Sequence, residues 1–268
     1  LSIPATLKDS LMARLDRLGP VREIAQIGAA IGREFSRDLL AMVAPVDRET
    51  LDAALDRLVA SGLVSRAGAA EREAFSFRHA LIQDAAYDSL LKRTRQQLHG
   101  QLATAISGRW PTTFHAEPEI LAHHLTRAGR ASEAAPLWLK AGQLALARSA
   151  LAEAIAHFSK ALAAADGLPR SIEVEELELA IRLGLGGAYI AQRGWASDEV
   201  RNATAPARLL ATRSRNDRHL VTAMFQVWVN LMTRSEYASA LEVADELVEQ
   251  GRNRPDPSLT TYGRGMAA

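Results

Sequence analysis

What chemistry this sequence can offer lies in a few histidines, a glycine run and one basic stretch. His79 directly follows the alternating residues Phe75, Ser76, Phe77 and Arg78. An imidazole there could donate a hydrogen bond, or simply cap or pack against the helix that follows. Arg78 is the weaker candidate, because strand alternation sends neighbouring side chains to opposite faces. Glu119 and His123 stand four apart with His124 adjacent, a spacing that chelates metals on a helix. No third ligand is identifiable and the HExxH order is missing, so a surface pair with the histidine partly packed is expected, and no metal. The Gly-rich run from Gly184 to Gly187 lacks a preceding strand and lies inside a helical pattern from Glu175 to Ala191, where small residues let paired helices approach. It is read as packing, not as a phosphate loop. No GxxxxGK[ST] occurs, and none of the four lysines, Lys8, Lys92, Lys140 and Lys160, follows a glycine-rich turn. With no nucleophile elbow or paired carboxylates in view, no catalytic residue is assigned, and the chain alone is expected to be neither an ATPase nor any other enzyme.

The elements that must hold these residues follow from composition and period. The 268 residues are 48% hydrophobic but only 5% aromatic, with alanine and leucine dominant, so the class is mostly α. Lysine plus arginine at 32 against aspartate plus glutamate at 31 leaves a charge of +1, which gives no case for wrapping nucleic acid or lying on an anionic membrane. The longest apolar run, eight residues from Leu39 to Val46, is broken by Pro45 and falls far short of the roughly 18 that a bilayer span needs. Residues 1–20 lack a secretory signal and the chain has no cysteine, which together point to the cytoplasm. A start at Leu1 and an end at Ala268, inside a helix-like segment, read as a fragment of a longer protein.

Two regions are expected, 1–102 and 103–268. In the first, Leu7, Leu11, Leu15 and Leu18 make a helix ended by Gly19 and Pro20. Ile24, Ile27 and Ile31 form the inner face of a second, and Asp47 caps a third whose Leu51, Leu55, Leu58 and Val59 point inward. A two-stranded hairpin, Leu63–Ser65 with Phe75–Arg78, and a helix from His79 to Lys92 follow. This is the order of a winged helix-turn-helix. Its third helix carries Asp47, Glu49, Asp52 and Asp56 against only Arg48 and Arg57, the wrong sign for phosphate, so direct DNA binding is not expected. The run from Lys92 to His99, with three cations and no acid, is expected at the solvated end of a helix where positive charge suits the dipole, or as a docking surface for a nucleotide domain.

The second region reads as helices at 118–129, 132–148, 151–165, 174–193, 197–211, 217–232, 236–251 and from 258 onward, joined by short Gly or Pro breaks. Trp138, Gly142, Ala154, Phe158 and Ala161 match the tetratricopeptide spacing, with Ala145 at the tyrosine-like position. Leu185, Gly186 and Tyr189 begin a degenerate second copy, and Ala240, Ala244 and Leu247 a third. A tetratricopeptide-like α-solenoid is the expected architecture.

Three stretches carry a family resemblance: IPATLKDSLMARLDRLGPVREIAQIGAAIGREFS from Ile3 to Ser36, FSFRHALIQDAAYDSLL from Phe75 to Leu91, and LAHHLTRAG from Leu121 to Gly129. They resemble bacterial proteins in which a class III adenylate or guanylate cyclase precedes an AAA- or STAND-type ATPase and tetratricopeptide repeats. The same module is also joined to kinases and to LuxR-type regulators. The resemblance implies that residues 1 to about 100 are the winged-helix end of the ATPase, with the ATP/ADP and Mg site upstream in the same chain. It implies that His79 contacts the β-phosphate of ADP, and that the repeats bind an unidentified protein or small ligand. The output would be cyclic nucleotide synthesis; a transcriptional regulator or a plain repeat adaptor are the competing readings.

Overall fold

In a computed structural model the described residues are 13–67, 73–109, 117–214, 216–252, 254 and 258–268, and they are mostly helical. They fall into two compact units, one of residues 1–116 with 123–130 and one of residues 117–122 with 131–268. The boundary expected at 102/103 lies inside a helix, Lys92–Arg109. Nothing in that stretch breaks the helical period, and Gly100, two residues before the expected boundary, sits in mid-helix without ending it.

The first unit starts with a helical turn at 13–16, then α1 (Val21–Ile31), β1 (Glu34–Ser36), α2 (Arg37–Val43), α3 (Arg48–Ala60), β2 (Val64–Ala67), β3 (Ala74–Phe77), α4 (Ala80–Asp88) and α5 (Lys92–Arg109). The expected N-terminal helix falls largely on residues outside those described. The sheet has three strands where the sequence suggested two: β3 lies between β1 and β2 and pairs antiparallel with both. Its register places Phe35 opposite Phe75. The rings of Phe35, Phe75 and Phe77, each at most 2% exposed, gather at 5.9 and 5.4 Å between centroids. Aromatic pairs at such separations add about 0.5–1.5 kcal/mol to what their burial contributes.

Local capping explains where these helices begin. Ser36 Oγ accepts from Leu39 N at 3.1 Å and Asp47 Oδ1 from Thr50 N at 2.8 Å, each satisfying an amide that has no partner in the first turn. Leu51, Ala54, Leu55 and Leu58 form the buried stripe of α3, while Val59 is only half-buried. The helix expected from His79 to Lys92 is in fact two. α4 stops at Asp88, and Lys92 opens α5. The basic run therefore sits at a helix start, against the dipole, and not at a solvated C-terminal end.

The second unit is wholly helical among its described residues. The helix Pro118–Arg127 (α6) contributes its first residues; then come α7 (Ala131–Ala147), α8 (Leu151–Asp166), α9 (Ile172–Arg193), α10 (Asp198–Arg213), α11 (Asp217–Thr233), α12 (Tyr237–Arg252) and α13 (Ser258–Ala267). From α7 onward each helix packs on its successor, and α7, α9, α11 and α13 also touch one another in turn. Links of three to five residues force neighbours to run back alongside each other. Ser171, Ser197 and Asn216 cap α9, α10 and α11 through side-chain oxygens.

Phe158 sets the spacing of the first three of these helices. It is fully buried, and a Cβ placed on Gly142 of α7 or on Gly184 of α9 would stand 2.6 Å from its ring. The ring fits only because both flanking helices present bare backbone to it. Phe158→Ala is expected to cost about 3–5 kcal/mol of unfolding free energy. Gly184→Ala is expected to destabilise by about 1–3 kcal/mol through overpacking, despite the ~1 kcal/mol alanine gains over glycine in a helix. Urea midpoints decide it: a Gly184→Ala chain as stable as its parent would show that the ring has room to move.

Candidate functional site

β3 ends at Phe77, and the next two side chains, Arg78 and His79, are both exposed, so the strand alternation stops before it could separate them. His79 occupies the N-cap position of α4 in an extended conformation, φ −136° and ψ 138°. Its backbone carbonyl accepts from Ile82 N at 3.0 Å, but its imidazole makes no cap hydrogen bond. The ring is therefore not used as a cap. The sheet adds a neighbour that the sequence did not reveal: Phe77 N donates to Arg33 O at 3.0 Å, which brings exposed Arg33 beside Arg78 and His79. Arg33, Arg78 and His79, all exposed, thus leave the backbone at the same end of the sheet. Arg33 escaped notice because β1, only three residues long, carries too little alternation to be seen without its partner strand.

A second group of polar side chains lies inside the first unit. His99 on α5 and His124 on α6 are 1% and 2% exposed, and their Nδ1 atoms stand 2.9 Å apart. The far nitrogen of His99, Nε2, is 2.9 Å from the Tyr87 hydroxyl on α4. One Nδ1 must carry the hydrogen that the other accepts, so the two rings cannot both be protonated. Burial, reinforced by the neighbouring histidines and, more weakly, by Arg127, lowers the pKa of His99 from 6.5 to about 3. Burial and His123 lower that of His124 to about 4. Arg95 lies over the Tyr87 ring at 5.1 Å and is 3.8 Å from Asp88.

The metal spacing noted at Glu119, His123 and His124 resolves differently. His123 is exposed, while His124 turns inward to His99. Among the described residues no group of three potential ligands is placed to hold a metal ion. His99 had not been singled out, being 25 residues from its partner with no periodic signal joining them.

In the second unit the residues of the repeat-like pattern lie at the joints between helices. Trp138, 3% exposed, stacks on His157 at 5.3 Å and 24°, with Lys160 Nζ 4.4 Å from its ring. Ala154, Phe158 and Ala161 are fully buried on α8, and Gly142 is buried on α7. On α9, Leu185 and Gly186 are buried, and a Cβ on Gly186 would come within 2.8 Å of Thr204 and of Gln226. Tyr189 is half-buried. The glycine run is helix-packing surface throughout its closest contacts.

No protein-family model matches this chain. An uncharacterized protein of Rhizobium meliloti (strain 1021) is 33% identical over 204 residues, 76% of this chain. The match is 20% of that protein, so this chain spans about one fifth of the length of the relative it matches. No described helix is long and apolar enough to cross a membrane.

The buried histidine pair dictates a direction of pH dependence. Depressed folded-state pKa values mean that the unfolded chain takes up protons that the native state refuses. Stability is expected to be full above pH 6.5 and to fall as pH drops toward 4 and 3, by about tenfold in the folded-to-unfolded ratio per pH unit and per histidine. Urea unfolding between pH 7.5 and 4.5 measures this limb. It should be shallower in the His99→Gln, His124→Gln double variant, and an equal slope in both proteins would contradict the assignment.

Proposed function

We propose that this chain is the regulatory and interaction arm of a larger cytoplasmic ATP-binding signalling protein, whose output is cyclic nucleotide synthesis by an adenylate cyclase domain. In this reading the first unit is a winged helix that senses the nucleotide held by an upstream ATPase domain. The second unit is a tetratricopeptide-like solenoid that binds a protein or small ligand.

The observation that carries the reading is the order helix, strand, helix, helix, strand, strand in the first unit, with sheet order β1-β3-β2. That order is what the winged-helix reading calls for, and exposed Arg33, Arg78 and His79 lie at one end of the sheet. Imidazole and guanidinium groups at the start of a helix suit a phosphate oxygen. The second unit supports it through the stacking of α7, α9, α11 and α13 and through the Trp138, Gly142 and Phe158 joint. The match to a relative about five times as long as the aligned stretch fits an arm of a multidomain chain.

DNA reading by α3 is disfavoured by charge and by pairing. Asp52 receives two hydrogen bonds from Arg37, both 2.7 Å, and Asp56 meets Arg66 at 2.5 Å. The acids fasten the helix to the start of α2 and to β2, and the helix offers no surplus positive charge to a phosphate backbone.

Regulation here means a shift between two arrangements. A ligand on the second unit must favour one arrangement of winged helix against ATPase, or it changes nothing. The intact gene product should form cyclic AMP from ATP, and in it His79→Ala and Arg33→Ala should each speed ADP release. An intact protein with no cyclase activity and a basic DNA-binding domain would sink the reading in favour of a LuxR-type regulator. An ADP off-rate untouched by His79→Ala would remove that residue from the nucleotide site.

A further inference from the structure

The second unit carries an open groove of about 810 Å³ between α11 and α13. Val221, Phe225 and Trp228 form one wall, and Tyr262 and Met266 the other. No charged side chain is among the described residues that line it. Phe225 is 45% exposed and Tyr262 57%, although burial of either ring would be favourable.

These rings belong to a longer row. Phe225 and Trp228 stack at 6.2 Å and 29°, and Trp195 meets Phe225 edge-on at 6.0 Å and 88°. Trp195 comes from the loop between α9 and α10, and α11 itself holds that loop in place. Asn230, 2% exposed, donates through Nδ2 to Trp195 O at 2.5 Å and to Ser197 O at 3.2 Å. Arg234 donates to Ala196 O at 2.7 Å and pairs with Asp198 at 2.8 Å. One helix thus carries two rings and fixes the backbone that supplies the third. A surface organised in this way loses little conformational freedom when it is covered.

We propose that this groove is a binding site for an uncharged, ring-bearing small molecule that lies against Phe225 and Trp228. The volume falls within the roughly 300–1,000 Å³ of small-molecule pockets, whose walls are mainly apolar and aromatic. Absence of charge in the described lining selects the class. A carboxylate, phosphate or ammonium entering the groove would shed water and find only the hydroxyls of Thr222, Ser258, Thr261 and Tyr262, with no opposite charge to compensate, whereas a flat neutral ring gains both burial and stacking. The inference rests on the reading of the second unit as the binding arm and names what it binds.

The probe is N-phenyl-1-naphthylamine, a neutral two-ring fluorophore, titrated into the 268-residue chain. Saturable binding of one molecule per chain is expected, with rising probe emission and quenched tryptophan emission. Phe225→Asp and Tyr262→Asp, both at exposed positions, should each weaken it at least tenfold while leaving the circular dichroism and urea midpoint unchanged. The sulfonated relative 8-anilinonaphthalene-1-sulfonate should bind at least tenfold more weakly than the neutral probe. Non-saturable uptake, equal binding of the charged probe, or indifference to both substitutions overturns the proposal. So does a concentration-dependent dimer that excludes the probe, which would make the groove a contact between copies. Failure here leaves the cyclic AMP assay to judge the regulatory reading, and failure of that assay with probe binding intact would overturn the regulatory reading alone.

Discussion

The second unit depends on one ring between two glycines. Phe158 occupies the space that side chains on Gly142 and Gly184 would fill, so α8 can lie against both α7 and α9 at backbone distance. Trp138 closes the same joint through His157 and Lys160. On its other side α9 repeats the device in weaker form, with Gly186 against Thr204 of α10 and Gln226 of α11. Because interiors are close-packed, a shift at one joint must be taken up by the next. The positions of Phe225, Trp228 and the Trp195 loop, all referred to α11, therefore inherit the spacing set three helices earlier.

The helices of the second unit were legible because local signals coincided with tertiary ones. Ser171, Ser197 and Asn216 start helices where the apolar period starts, and the Gly and Pro breaks end them. Trp138, Gly142 and Phe158 could be picked out as a set because their spacing crosses one short helix hairpin. The three-stranded sheet was not legible to the same degree. Glu34, Phe35 and Ser36 are too few to establish alternation, and what makes them a strand is pairing with Ser76, Phe75 and Ala74 some 40 residues on. With β1 unseen, the placing of Arg33 at the same end of the sheet as Arg78 and His79 was also unseen.

Charge was legible in amount but not in use. The acids of α3 argued against a phosphate-facing helix, yet their partners Arg37 and Arg66 come from the start of α2 and from β2, where sequence order gives no hint of contact. The same limit applied to histidine. His123 and His124 stood out as neighbours, whereas the contact that matters to the fold runs from His124 to His99, and then to Tyr87. Side chains brought together by packing of separate helices leave no periodic trace in the chain.

The run from Tyr87 through His99 to His124 also has a sense of direction. If His99 Nδ1 carries the hydrogen, it donates to His124, and its Nε2 must accept from the Tyr87 hydroxyl. If His124 carries it, every member reverses, and the tyrosine becomes the acceptor. No single bond in the series can turn round alone without leaving a buried nitrogen unpaired, so the three helices α4, α5 and α6 share a dipole that flips as a whole. Exposed His123 meets the rings of His99 and His124 edge-on, at 5.8 and 5.5 Å, and Arg95 lies over Tyr87, so that dipole is bordered by surface groups at its tyrosine and at both its histidines.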